Sequence, residues 1–139
     1  MIARDYLIRQ FEELARVIAE IMGLSAQRHF VQAVESIDRH GKAAVGAVWE
    51  MLELIDDARL IDVLRQADNA EHWAVTAHLL KAKAEVLRQA GEMSRAQLLS
   101  RRAVMIAAFL KNENRVDEKF IHPLINPEEV HDEEPKKKT

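Results

Sequence analysis

All three prolines of this 139-residue chain, Pro123, Pro127 and Pro135, lie after residue 122. Proline inside a helix removes a hydrogen bond and clashes with the preceding turn, at a cost of about 3 kcal/mol, so the first 122 residues lack the strongest helix breaker. Leu, Ala, Glu, Arg and Gln, which lose little on entering a helix, dominate that stretch. No window alternates apolar and polar residues with period two for long enough to make a strand. The expected fold class is all-α.

Size and composition narrow the reading further. A single domain of this length buries roughly two thirds of the surface its unfolded chain exposes, and 48% hydrophobic residues supply a core without a covalent or metal staple. Zero cysteine excludes a disulfide scaffold, a thiol nucleophile and a Cys-based zinc site, and points to a reducing cytoplasm. No apolar run approaches the roughly 20 residues that span a bilayer, and Arg4, Asp5 and Arg9 interrupt any signal-peptide pattern.

The helical periodicity divides the chain into six segments. Leu7, Phe11, Leu14, Ile18 and Ile21 recur at spacings of four and three over about residues 3–22, with Gly23 placed as a left-handed C-cap. Ser25 is the expected N-cap of a second helix that buries Phe30, Val34 and Ile37 and stops at Gly41. A third helix is expected over about 42–55 and a short fourth after Asp56 and Asp57. Asp68 and Glu71 have capping-box spacing ahead of a long fifth helix. That helix carries two apolar seams, one through Trp73, Ala77, Leu80, Ala84 and Leu87, the other through Val75, Leu79, Ala82, Val86 and Ala90, as expected for a helix between neighbours. Gly91 ends it, and Ala96, Leu99, Ala103, Ile106 and Leu110 mark a sixth. Short connections make successive helices antiparallel, so the expected architecture is an α-solenoid-like stack of three helix hairpins over residues 1–116. The remainder, 117–139, reads as a C-terminal tail, partly disordered or docked, with a small apolar cluster at Phe120, Ile121, Leu124 and Ile125.

The small residues Ala84, Ala96 and Ala103 around Gly91 resemble the packing pattern of a tetratricopeptide repeat over about 34 residues, although no proline closes the unit and Ser100 stands where an aromatic is usual. The opening run from Arg4 through Tyr6 and Phe11 to Glu12 resembles an uncharacterised bacterial family, a domain of unknown function with a tetratricopeptide-like body. That likeness covers most of residues 1–111. It implies a cytoplasmic helical protein and supplies no catalytic residue.

Charge and spacing weigh against several chemistries. The formal charge of −3 gives nucleic-acid binding no general support. Residues Ala84 to Arg102 imitate a helix-turn-helix, but its inner-face positions hold Gln97 and Ser100, so the apolar register is wrong. His72 and His78 are six apart, on different sides of a helix, whereas metal pairs on a helix want three or four. His29 and His40 are some 16 Å apart along a helix axis, and Asp68 with His72 is more simply a cap. The carboxylates Glu50, Glu53, Asp56 and Asp57 read as a solvated face. No nucleophile elbow or phosphate loop is present, and no catalytic, cofactor or metal residue is assigned.

Association remains. Lys81, Arg88, Arg95, Arg101 and Arg102 make the last hairpin basic, whereas Glu128, Glu129, Asp132, Glu133 and Glu134 make the tail acidic. Those five cations are the candidate surface for a protein partner or an acidic segment, including the chain's own tail. Tyr6 and Phe11 are the candidate anchors of a homodimer through helix one. The expected function is a non-enzymatic protein-interaction module. The alternatives are a small-ligand or metal-binding helical enzyme and a nucleic-acid-binding helical protein.

Overall fold

The computed structural model describes residues 2–125, with side chains from residue 5 onward; those residues form helices and connections, and no strand occurs among them. The order is α1 (Ile2–Ala26), α2 (Phe30–Val45), α3 (Val48–Met51), α4 (Asp57–Gln66), α5 (Ala70–Gln89) and α6 (Met93–Asn112), then a 3-10 turn (Glu118–Phe120) and α7 (His122–Ile125). The two apolar seams of the fifth helix have the expected consequence. Twelve of the twenty residues of α5 are buried, including the adjacent pairs Leu79–Leu80 and Val86–Leu87. Adjacent positions sit about 100° apart on a helix, so α5 is covered on more than one side, and it touches α1, α2 and α6. Trp49 and Trp73 are both buried.

Helix ends depart from the sequence expectation in an instructive way. α1 continues through Gly23, and its left-handed cap is Arg28 (φ 65°), with His29 N–H donating to Leu24 O at 2.8 Å and Arg28 N–H to Ser25 O at 2.9 Å. The same bond pattern closes α5 at Gly91 (φ 91°) and α6 at Asn114 (φ 57°). Ser25 therefore lies in the last turn of α1. It is buried and donates its hydroxyl to Gln89 Oε1, tying the ends of α1 and α5 together instead of capping α2. Asp56 does cap α4, accepting from Arg59 N–H at 2.8 Å. The expected Asp68–Glu71 box does not form, because the N-cap position falls one residue later, on Asn69, with no side-chain cap bond.

Gly41 is the largest departure. Glycine costs about 1 kcal/mol in a helix interior relative to alanine, which makes it read as a stop, yet α2 runs through it to Val45. The reason is tertiary: a Cβ there would collide with the Trp49 indole, so the missing side chain is what lets Trp49 lie flat on α2. α3 is correspondingly a single turn that delivers Trp49, not a helix over 42–55.

The core does not end where the periodicity fades at residue 116. Ile121 (0% exposed) and Leu124 (2%) are buried, and α7 packs on α6 and α5. Short elements bury single residues rather than a repeating stripe, so a periodicity test passes over them. The acidic stretch from Glu128 onward lies outside the described residues.

Candidate functional site

The five cations read as one patch divide once the helices pack. Arg102 is 4% exposed. Its guanidinium donates Nη1–H to the Asp57 carboxylate and Nη2–H to Ile55 O, and so fastens α6 to the start of α4. It is part of the core, which corrects its assignment to a partner-binding surface. Arg95 lies one α-helical heptad earlier on the same stripe and makes a two-pronged bond to Glu53 (Nε to Oε2 2.5 Å, Nη2 to Oε1 3.1 Å), with Glu92 at 3.2 Å from Nη1. These bonds hold the Glu53 carboxyl below, and raise the Arg95 guanidinium above, their ordinary pKa values. The carboxylate run that reads as a solvated face is thus committed throughout: Glu53 and Asp57 to α6, Asp56 to its cap, and Glu50 to Lys42 at 3.5 Å.

A neighbouring cation is engaged in the same manner. Lys83, buried on α5, donates to Asp38 Oδ1 at 2.8 Å, and the same oxygen accepts Trp49 Nε1–H at 2.9 Å. The ammonium lies 5.7 Å from the Trp49 ring. Gly41, Trp49, Asp38 and Lys83 therefore form one closed joint between α2, α3 and α5.

The opposite side of the α5–α6 pair is open. His78, Lys81, Glu85 and Arg88 recur on α5 at spacings of three and four, Met93, Gln97 and Ser100 do so on α6, and Ile18 and Met22 face them from α1. Between these rows lies a groove of about 460 Å³, floored by Ala82 and Ala96 and ended by Pro123 and Leu124 of α7. The small floor residues leave room for side chains of another segment. Lys81 and Arg88 stand at its rim, so two of the five sequence candidates belong to the site. Arg101 is exposed beside Ser100, outside the lining, and makes no ion pair among the described residues.

Three polar groups of the groove, His78, Glu85 and Arg88, are bonded to neighbours. His78 Nε2–H donates to Phe120 O at 2.6 Å. Burial holds its pKa below the ordinary imidazole range against the opposing effect of that carbonyl, and the nearby Lys81 charge lowers it further. Arg88 forms a two-pronged bond to Glu85, which lowers the Glu85 pKa. Phe11 stacks on Phe120 with ring centroids 4.4 Å apart and meets His78 edge-on at 5.9 Å. Phe11, half-buried, thus clasps the C-terminal segment from within the chain, a role the sequence reading of it as a dimer anchor did not include. Tyr6 is 62% exposed and stays at the surface.

Comparison with family models, curated proteins and solved structures finds no match. The site therefore stands on its own geometry. Among the described residues no three His, Asp or Glu side chains converge as a metal would require. His72 lies in a separate hollow with Asp68 and Trp73, not with His78. No helix among those residues is long and apolar enough to cross a membrane. Sequence reasoning passed over Ile18, Met22, Met93, Gln97 and Ser100 as site residues. The signal was present in Gln97 and Ser100: polar residues where an inward helix face would be apolar mark the side of α6 that no element among the described residues fills.

Proposed function

We propose that this protein is a non-enzymatic protein-interaction module whose binding surface is the groove between α1, α5 and α6. The observation that carries the reading is an apolar groove left open on one side of the α5–α6 pair, whereas on the other side Lys83, Arg95 and Arg102 are tied to carboxylates of α2, the α3–α4 connection and α4. An amphipathic segment with apolar residues three or four apart fits such a groove, because they project from one side of a helix. The cationic rim of Lys81 and Arg88 favours a segment with acidic flanks. The chain itself supplies the pattern, for Ile121 and Leu124 of the C-terminal segment are three apart and bury themselves beside the groove. An enzyme is the weaker reading, since His78 is held by the Phe120 carbonyl and Glu85 by Arg88.

The tetratricopeptide-like reading of the α5–α6 pair belongs with this proposal. Ala84, Ala96 and Ala103 are buried around the left-handed Gly91 turn, which supports that mode of helix contact. The test is affinity capture from source lysate with three baits: the native chain, Ser100→Trp, which fills the groove, and Arg95→Ala, which changes the opposite stripe. A protein held by the native chain and by Arg95→Ala but lost with Ser100→Trp is the expected result. Identical profiles from the native and Ser100→Trp baits would refute the groove as the binding surface.

A further inference from the structure

The C-terminal segment enters the line of the groove before the described residues end. Phe120 is stacked on Phe11, Ile121 and Leu124 are buried, and Pro123 and Leu124 form the end wall of the open part. The chain beyond Ile125 therefore begins at the mouth of the groove. From His78 to Arg88 the α5 wall extends about 15 Å at 1.5 Å per residue. Residues 126–139 are fourteen residues long and reach about 45 Å when extended, several times what that wall needs. The first nine of them match what they would meet: Pro127 and Val130 for the apolar floor, and Glu128, Glu129, Asp132, Glu133 and Glu134 for the cations, with Lys136, Lys137 and Lys138 following this acidic run. On the protein side Lys81 and Arg101 are exposed and make no ion pair among the described residues, and Arg88 is exposed but shares its charge with Glu85.

We propose that residues 126–139 occupy the open length of this groove in the free protein, so that a partner segment binds by displacing the chain's own tail. The proposal rests on the groove being the binding surface. Exposed ion pairs are individually weak and screened by salt, which makes the occupancy partial and readily reversed, as a displaceable inhibitor requires.

Because the chain has no cysteine, Ser100→Cys places a single thiol in the groove wall and Val31→Cys places a control thiol on the exposed face of α2. Each is introduced into the full chain with its native tail and into the full chain carrying Glu128→Lys, Glu129→Lys and Asp132→Lys, and is alkylated with uncharged N-ethylmaleimide. Alkylation at Ser100→Cys should quicken about tenfold on charge reversal, the factor that corresponds to roughly 1.4 kcal/mol of lost docking. High salt should act in the same direction. The Val31→Cys rate should not move, and a synthetic peptide of residues 126–139 should restore protection to the reversed chain. Equal rates at Ser100→Cys in the two chains would overturn the proposal, as would protection that grows with protein concentration, which would make a second copy the occupant. No partner is present in this assay. A negative result here therefore leaves the lysate comparison standing, and loss of the lysate result leaves the tail measurement interpretable.

Discussion

The two sides of the α5–α6 pair are built from the same residue types and end in opposite conditions. On one side cations serve as joints: Lys83 with Asp38 and Trp49, Arg95 with Glu53, Arg102 with Asp57 and Ile55 O. On the other, Lys81 and Arg88 stand over an apolar groove, with Arg101 beside it. The difference lies in what faces each helix stripe, not in the stripe itself. α2 and the α3–α4 region bring carboxylates and a carbonyl to the closed side, whereas α1 and α7 bring Ile18, Met22 and Leu124 to the open side and stop short of filling it. A positive patch in a sequence is thus two different things, depending on whether the fold supplies its own anions.

The closed side can be broken most severely at its glycine. Gly41→Ala gains about 1 kcal/mol of helix propensity, but it drives a methyl group into the buried Trp49 indole, and overpacking of this kind costs about 1–3 kcal/mol or more. Steric strain should win. Urea unfolding should show a net loss of about 2 kcal/mol, with lower Trp49 burial by fluorescence quenching; a stabilised variant would mean that Trp49 does not lie on α2.

The open side depends on its clasp. Phe11→Ala removes the stack on Phe120 and the edge contact with His78, at about 1.5 kcal/mol for a half-buried ring. The account expects that loss to come with faster amide exchange in residues 118–125, while α2 and α4 keep their protection. Uniform loosening of the whole chain would contradict a clasp confined to the C-terminal segment.

A smaller effect distinguishes the two sides by pH. The His78 pKa is lowered in the folded chain, chiefly by burial, so between its folded and unfolded values the unfolded chain binds more protons. His78 thus contributes stability that is present above the ordinary imidazole pKa of about 6.5 and is lost as pH falls from there toward the lower folded value. Glu53 and Glu85 have lowered values too, but carboxylates lose their contribution at more acidic pH. His78→Gln should therefore flatten the fall in stability just below pH 6.5; an unchanged slope there would show that another group carries it.

Much of the fold was legible before any coordinates. The absence of proline, the four-three spacing and the double seam of α5 express short-range geometry, and the all-helical body with α5 between neighbours followed from them. Gly91 and Asp56 worked as read because their roles are local. Gly41 and Arg102 did not, since each is decided by a residue distant in the fold: Gly41 by Trp49, and Arg102 by Asp57, 45 residues away in sequence. The seven-residue spacing of Arg95 and Arg102 puts them on one stripe, with Arg101 about 100° round the helix from Arg102, although the sequence reading took all five cations as one surface. What it could not show was which stripe would find anions. The apolar cluster of the clasp, Phe120, Ile121, Leu124 and Ile125, was visible in sequence, but its docking onto Phe11 was not, because a 3-10 turn and a single helical turn are too short to display a period and the contact joins distant segments.

The central claim, that this one run of cations contains both ties between helices and rim charges that hold no second helix, is tested most directly by urea unfolding of alanine variants at Arg102, Arg95, Arg88, Arg101 and Lys81 measured side by side. Arg102→Ala should lose about 2–3 kcal/mol, because it empties a buried site and leaves the Ile55 carbonyl without its donor. Arg95→Ala should lose about 1 kcal/mol for a two-pronged surface bond, and the other three should leave the unfolding midpoint where it was. Similar losses at all five positions, or a loss at Lys81 or Arg101 matching that at Arg102, would contradict the division.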